Sequence, residues 1–403
     1  MSEIATVGVL GAGVMGAGIA QVAAEAGLEV LLHDPVDGAS ERALDRIGGF
    51  LQRKADKEQL TQAEADAARD RIRVIAKAGE LARTDAVVEA IPEKLKLKRE
   101  AFRHLDADAR AGTILASNTS SLSIAQIASA VEHPERVIGM HFFNPVPLMA
   151  LVEIIPGPMT SPDVVDRSAR LAVRLGKTPV VAADTPGFIV NRVQRALYLE
   201  AFRIFEEGVA DVPAIDDAMR QLGFRLGPFE LADVVGTDVN LAAGTAIFEG
   251  YYGDPRYRPA QVQRRVVEAG RLGRKSGAGY YDYADDGSRG DPWPELLRRP
   301  ADAPSLPAID AAQIGARVLA AIVNEAASAV ADGVAAPASI DVAMRLASNW
   351  PDGPITWGER IGLASVVHTL DALHAAVPDG RYRVSPLLRA IAMTGGSFFG
   401  EPA

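Results

Sequence analysis

His141 and Glu153 stand in apolar company. His141 opens "HFFNPVP", and Glu153 sits inside "LVEII". An imidazole ionises near neutral pH, which suits it to take a proton from an alcohol. A carboxylate beside it fixes the ring tautomer and stabilises the imidazolium as it forms. Ser120 in "SNTSSL" and Asn191 in "FIVNR" offer a hydroxyl and an amide that can hydrogen-bond a reacting oxygen. Such a set suits oxidation of a secondary alcohol, in which a proton leaves oxygen while a hydride leaves carbon. The six histidines show no H-x-x-x-H type of ligand spacing, so no metal is expected. Each residue also has a structural reading. The histidine could be a satisfied core residue, Glu153 could pair with Arg136, and Ser120 could help cap a helix starting near Ser123.

A hydride needs an acceptor, and the N-terminus supplies a place for one. "GAGVMG", Gly11 to Gly16, follows a β-branched run, opens a helix-like segment, and precedes "LEVLLHD". In this β–α–β setting Gly11 allows a tight turn, Gly13 lets a pyrophosphate approach the backbone, and Gly16 lets helix and strand pack closely. Val14 and Met15 lie in the same loop and belong to the expected cofactor-binding set. Free N–H groups at the helix start face the phosphates. Asp34, ending the second strand, can accept hydrogen bonds from both ribose hydroxyls and would repel a 2′-phosphate. NAD is therefore expected rather than NADP.

The elements that must carry these residues follow from periodicity. Strand-like runs recur at "IRVIA", "DAVVEAI", "TILAS", "RVIGMHF", "LVEII" and "TPVVAA", mostly with helical segments between them. The pattern predicts a doubly wound, mainly parallel Rossmann-type sheet over residues 1–186. A helical hairpin over residues 38–70 is expected as an insertion before the third strand. Beyond residue 187 strand signals fade. The expected remainder is a first all-helical domain over 187–284, a Pro- and Gly-rich linker over 285–308, and a second helical domain over 309–403. The class is thus α/β plus all-α, with two tandem helical domains.

Composition narrows the functions. The chain has 403 residues, a net charge of −10 and no cysteine. Disulfides and thiolate catalysis are excluded, and an acidic chain is a poor match for nucleic acid. No unbroken run of about 18 apolar residues is present, so no membrane span is expected. A soluble, cytoplasmic protein is the plain reading.

Together the separated motifs "GAGVMGAGIAQVAA", "VVEAI", "SNTSSL", "HFFNPVP", "LVEII", "DTPGFIVNR", "GPFELAD" and "GRKSGAGYYDY" resemble the 3-hydroxyacyl-CoA dehydrogenase family over almost the whole chain. The resemblance implies that His141 is the catalytic base and Glu153 its partner. It implies that Ser120 contacts both substrate and nicotinamide, and that Asn191 is the active-site asparagine. Glu89, Lys94 and Lys275 match cofactor-lining positions, and Asn144 joins that set. The implied substrate is an acyl-CoA, in fatty-acid or aromatic catabolism. The hairpin cluster "QRKADK" would meet the nucleotide part of coenzyme A, with Lys57 at one contact position. The other position is Phe50, where some relatives have serine. A dehydrogenase for free hydroxy acids and a nucleotide-binding protein without turnover are the competing readings.

The helical half contains an internal repeat. "EAFRIFEEGVADVPAIDDAMR" from Glu200 aligns with "EAASAVADGVAAPASIDVAMR" from Glu325, and "GPFELADVVG" aligns with "GPITWGERIG" after a one-residue insertion. At that offset Asn191 corresponds to Ala316. The second copy is therefore expected to be structural and to pack on the first. The chain would then be a homodimer, or a monomer with an internal pair of helical domains.

Overall fold

The computed structural model describes residues 4–294, 296 and 306–400. The chain divides into two compact units, Met1–Phe188 and Ile189–Ala403. In the first unit, eight strands form one sheet: β1 (Thr6–Leu10), β2 (Glu29–His33), β3 (Ile72–Val74), β4 (Ala86–Glu89), β5 (Ile114–Ser117), β6 (Val137–Phe142), β7 (Leu151–Pro156) and β8 (Thr178–Val181). Their order is β3-β2-β1-β4-β5-β6-β7-β8. All neighbours are parallel except β6 and β7. Central strands such as "AVVE" and "ILAS" are buried at every position, which is why they read as continuous rather than alternating apolar runs. The doubly wound sheet expected from the sequence is present, and its strand order reverses between β1 and β4.

Six helices surround the sheet: α1 (Val14–Glu25), α2 (Ala39–Asp56), α3 (Gln62–Asp70), α4 (Leu95–Asp108), α5 (Ile124–Ala128) and α6 (Pro162–Arg174). The α2–α3 pair is the expected hairpin. Ala43, Ile47 and Leu51 recur at helical spacing on α2, and all are buried. Thr61 and Glu64 form a reciprocal capping box that starts α3. In "DTPGF" Asp184 has a structural task. It accepts from the Ile124 and Ala125 N–H groups and from Ser123 Oγ, so it holds the start of α5.

The second unit is helical. Its first copy comprises α7 (Val190–Glu207), α8 (Val212–Gln221), α9 (Pro228–Val235), α10 (Thr237–Gly250) and α11 (Gln261–Glu268). Its second copy comprises α12 (Ala311–Ala331), α13 (Pro337–Ser348), α14 (Pro354–Ile361), α15 (Leu363–Ala376) and α16 (Pro386–Thr394). Both copies solve the same capping problem with the same residue. Asp216 accepts from the first N–H groups of α9, and Asp341 does so for α14. Burial raises the pKa of both, against those hydrogen bonds, with Asp216 pushed to about 7.

Contacts between the copies exchange partners in pairs. Arg192 donates to Glu325 at 2.7 Å, and Arg317 donates to Glu200 at 2.9 Å. Arg192 also meets Asp332, and Arg317 meets Glu207. Tyr257 donates to Glu325, and Tyr382 to Glu200. Arg258 pairs with Asp379, and Arg383 with Asp254. At the repeat offset each contact is the mirror of its mate. This is the pattern of a two-fold, self-complementary interface, here formed within one chain.

One finding differs from the sequence-based expectation. Part of the anticipated 285–308 linker is a strand, β10 (Arg289–Pro292), paired antiparallel with β9 (Tyr281–Tyr283). The turn residues Asp286 and Gly287 between them read as linker composition but close a hairpin. Residues 295 and 297–305 of that segment lie outside the described residues. Helix α12 also has the length and apolar composition of a membrane span, although most of it is buried within the protein. Arg317, Asn324 and Glu325 hid that property in the sequence. Arg317 and Glu325 are both in the inter-copy ion pairs.

Candidate active site

The first unit gathers its polar residues at the C-terminal ends of the parallel strands, beside the reversal of strand order, where ligands of open α/β sheets bind. The turn after β1 carries the glycines. Gly11 has φ +103°, and a Cβ there would lie 2.6 Å from the Ala90 carbonyl oxygen. A Cβ on Gly16 would lie 1.8 Å from the Gly11 carbonyl oxygen. Both glycines are required by the protein's own packing. Gly13 differs, because a Cβ there would meet nothing within 4 Å. The open space at Gly13 belongs to a cleft of about 780 Å³ that is also lined by Val14, Met15 and Asp34. A phosphate group at the start of α1 would use that space and the free N–H groups there. Asp34 accepts from the N–H groups of Ala12 and Val36. Each of its carboxylate oxygens keeps capacity for a ribose hydroxyl. These residues fit a dinucleotide.

On the other side of the reversal, β6 and β7 pair in a register that sets His141 directly opposite Glu153. Residues opposite one another share a face of the sheet. His141 Nδ1 lies 2.7 Å from Glu153 Oε2. Glu153 is fully buried and His141 is 6% exposed. In the tautomer that donates from Nδ1 to this carboxyl oxygen, Nε2 is the nitrogen left to accept. The rings of Phe143 and Phe188 flank the imidazole at 4.4 and 5.9 Å. Arg136, the alternative partner for Glu153, is instead paired with Asp106.

Ser120 lies on the loop after β5, and that loop is tied down from two directions. Asn118 Oδ1 accepts from the Phe142 N–H, next to His141. Glu93 Oε1 accepts from Thr119 Oγ1 at 2.6 Å, from the Ser120 N–H at 2.9 Å and from the Ser121 N–H at 3.2 Å. The Lys98 ammonium bridges Glu93 and Glu89, at 3.2 and 2.6 Å. At Glu93 burial works to raise the pKa. The Lys98 charge and the hydrogen bonds from Thr119 and Ser120 outweigh it, and the carboxyl is held below its ordinary value. At Glu89 burial wins and the pKa rises, despite Lys98, Ser117 and the Ile91 N–H.

Comparison with known proteins shows what the whole chain is similar to. The model of the 3-hydroxyacyl-CoA dehydrogenase NAD binding domain matches residues 6–185, and the model of the C-terminal domain of the same family matches residues 187–283 and 314–397. The chain belongs to the 3-hydroxyacyl-CoA dehydrogenase family. It is 36% identical to a 3-hydroxyadipyl-CoA dehydrogenase of Escherichia coli, over 98% of each chain. It is 45% identical to a probable 3-hydroxybutyryl-CoA dehydrogenase of Bacillus subtilis, over 70% of this chain and 99% of the relative. A crystal structure of 3-hydroxybutyryl-CoA dehydrogenase from Escherichia coli superposes with a TM-score of 0.88 at 34% identity, covering 98% of this chain and 99% of that one. The family is one of NAD-dependent oxidoreductases, and NAD is its cofactor.

For a 3-hydroxyacyl-CoA dehydrogenase, the first unit brings together His141, Glu153 and the clamped loop of Ser120, beside the Gly11–Gly16 turn and Asp34. Glu89 is wholly enclosed, with its oxygens committed to Lys98, Ser117 and Ile91. Lys94 is exposed at the start of α4. The sequence reading missed Glu93 and Lys98. A signal existed: Lys98 falls on the buried stripe of α4 with Phe102 and Leu105, and a lysine there demands a buried acid.

Asn144 lines a second cleft of about 530 Å³ with Gly18, Phe50 and Leu148, rimmed by Arg53, Lys54 and Lys57. Asn191 and Lys275 belong to the second unit. Asn191 lies in the first turn of α7, and Lys275 pairs with Asp238 at 2.6 Å.

Proposed function

We propose that the chain oxidises an L-3-hydroxyacyl-CoA to the 3-ketoacyl-CoA, with the His141–Glu153 pair as general base. The observation that carries this reading is the 2.7 Å contact between two buried, register-paired side chains. NAD, when bound, supplies the hydride acceptor. His141 Nε2 takes the hydroxyl proton, and Glu153 stabilises the imidazolium that results. Ser120, held by Glu93, donates a hydrogen bond to the reacting oxygen. Asn191 does the same from the second unit, on the strength of the family resemblance. The substrate handle is coenzyme A, at the cleft rimmed by Arg53, Lys54 and Lys57. The relatives' names support both 3-hydroxybutyryl-CoA and 3-hydroxyadipyl-CoA as substrate types. A cytoplasmic role in fatty-acid or aromatic catabolism completes the proposal.

Oxidation of NADH is expected with acetoacetyl-CoA and not with free acetoacetate. Turnover of the free acid would move the chain to the hydroxy-acid reading, and NADH binding without turnover would end the enzymatic one. His141→Gln is expected to lower kcat by about 10²–10⁴-fold with NADH binding intact. Glu153→Gln should lower kcat less and move the pH profile. Wild-type kinetics in either variant would remove the pair from the mechanism.

A further inference from the structure

Arg195 is a cation in the wrong place for a structural residue. It lies on α7, is 5% exposed, and among the described residues has no carboxylate within ion-pair distance. Its NH1 donates to the Asn240 carbonyl at 3.0 Å, and its guanidinium stands 4.7 Å from the Tyr198 ring. Its Nε is buried without an acceptor. The neighbouring Asn240 has the same defect. Gln263 Nε2 donates to Asn240 Oδ1 at 2.7 Å, which fixes the amide, and the buried Nδ2 is left with only a weak interaction with the Tyr198 hydroxyl. Two poorly satisfied donors, one of them charged, therefore lie on residues joined by the hydrogen bond from Arg195 NH1 to the Asn240 carbonyl. A buried donor left unmade is destabilising, and more so when it is charged.

The second copy shows that the fold does not require this arrangement. At the repeat positions Arg195 becomes Ala320, Tyr198 becomes Val323, Asn240 becomes Val366 and Gln263 becomes Leu388. All four replacements are buried. The same helices thus pack with an apolar interior in the copy that lacks the active-site asparagine. A buried polar set at positions that are apolar in the other copy points to function.

From these observations we infer that Arg195 and Asn240 form a subsite for a carboxylate at the far end of the acyl chain. The inference rests on the 3-hydroxyacyl-CoA reading and narrows it to dicarboxylic substrates. Arg195 is one helical turn beyond Asn191 on the same face of α7, a rise of about 6 Å. A six-carbon diacid places its terminal carboxyl carbon three C–C bonds, or about 4 Å, from C3. Its oxygens extend that reach to about the rise between the two side chains. A carboxylate would satisfy Arg195 Nε and Asn240 Nδ2 together and neutralise the buried charge, whereas a methyl terminus would leave both donors unmade.

The test compares NADH-dependent reduction of 3-oxoadipyl-CoA and 3-oxohexanoyl-CoA, which have the same chain length and differ only at the terminus. The wild type is expected to favour the diacid at least tenfold in kcat/KM. Arg195→Leu and Asn240→Val should each cut the diacid-to-monoacid ratio by tenfold or more, mainly through the diacid KM, and Arg195→Lys should keep part of it. Circular dichroism and Tm identify the variants that fold. Equal wild-type kcat/KM for the two thioesters would overturn the subsite and leave the dehydrogenase reading standing. So would an equal loss on both substrates in every folded variant. No turnover of either thioester by the wild type would overturn both.

Discussion

The two helical copies of this chain share a scaffold and divide on chemistry. Both keep the arginine, the glutamate and the tyrosine that lock them together: Arg192, Glu200 and Tyr257 in the first, Arg317, Glu325 and Tyr382 in the second. Both keep the aspartate that caps the third helix, Asp216 and Asp341. They part at Asn191 against Ala316, and at the buried polar set around Arg195 against an apolar one. The residues retained in both copies either cap a helix or bind the other copy. The residues retained in one are those proposed above to meet the substrate. Duplication has here separated what a helical domain needs in order to fold and pair from what it needs in order to act. Within this chain the second copy covers the face of the first that carries the exchanged ion pairs.

The largest effect should come from breaking that shared part. Arg192 is fully buried, and burial works against its charge, but Glu325 more than offsets the cost and its pKa is raised. Arg192→Met would leave Glu325 with Tyr257 and the more distant Arg256, at 3.4 Å. Arg317→Met would leave Glu200 with Tyr382 and Arg203, at 3.7 Å. Each variant is expected to lose about 3–5 kcal/mol of stability in urea unfolding. Replacing both partners, as in Arg192→Met with Glu325→Leu, should return much of it, because no buried charge is then stranded. A loss at one arginine and none at its mate would break the symmetry inferred from the exchanged pairs.

The next test turns the first copy into the second at its point of difference. Asn191→Ala installs the residue found at position 316. If Asn191 holds the reacting oxygen, kcat should fall by about 10²-fold. Unchanged turnover would place the functional difference between the copies elsewhere.

How much of this was legible in the sequence depended on whether one residue or several had to be read together. The His141–Glu153 pair was legible because both residues sit in short strand-like runs joined by a Pro-rich turn, and a hairpin of that length has few registers. The nucleotide turn was legible because its glycines lie between a strand and a helix. Glu93 was not: in "EKLKLK" it reads as a solvated charge, and only the fold shows that five N–H and O–H donors of the Ser120 loop converge on it. Arg195 was hidden for the same reason, since an arginine on a long helix reads as surface. The mirror-image ion pairs were half visible. The repeat aligned Glu200 with Glu325, but nothing linear shows that each acid binds the other copy's arginine. The strand at 289–292 was missed because hairpin turns and linkers share a composition.

The smallest effect, and the most specific, is expected from the reverse exchange. Ala316→Asn restores to the second copy the residue that marks the first. Position 316 is exposed on α12, so the cost should be only the lower helix propensity of asparagine, about 0.5 kcal/mol. Turnover should not change. A lone amide has no partner set to act with, because Ala320, Val366 and Leu388 occupy the neighbouring polar positions, and the second copy carries no counterpart of Lys275. A measurable change in kcat or KM in this variant would mean that the second copy takes part in catalysis. The division between scaffold and chemistry would then have to be redrawn.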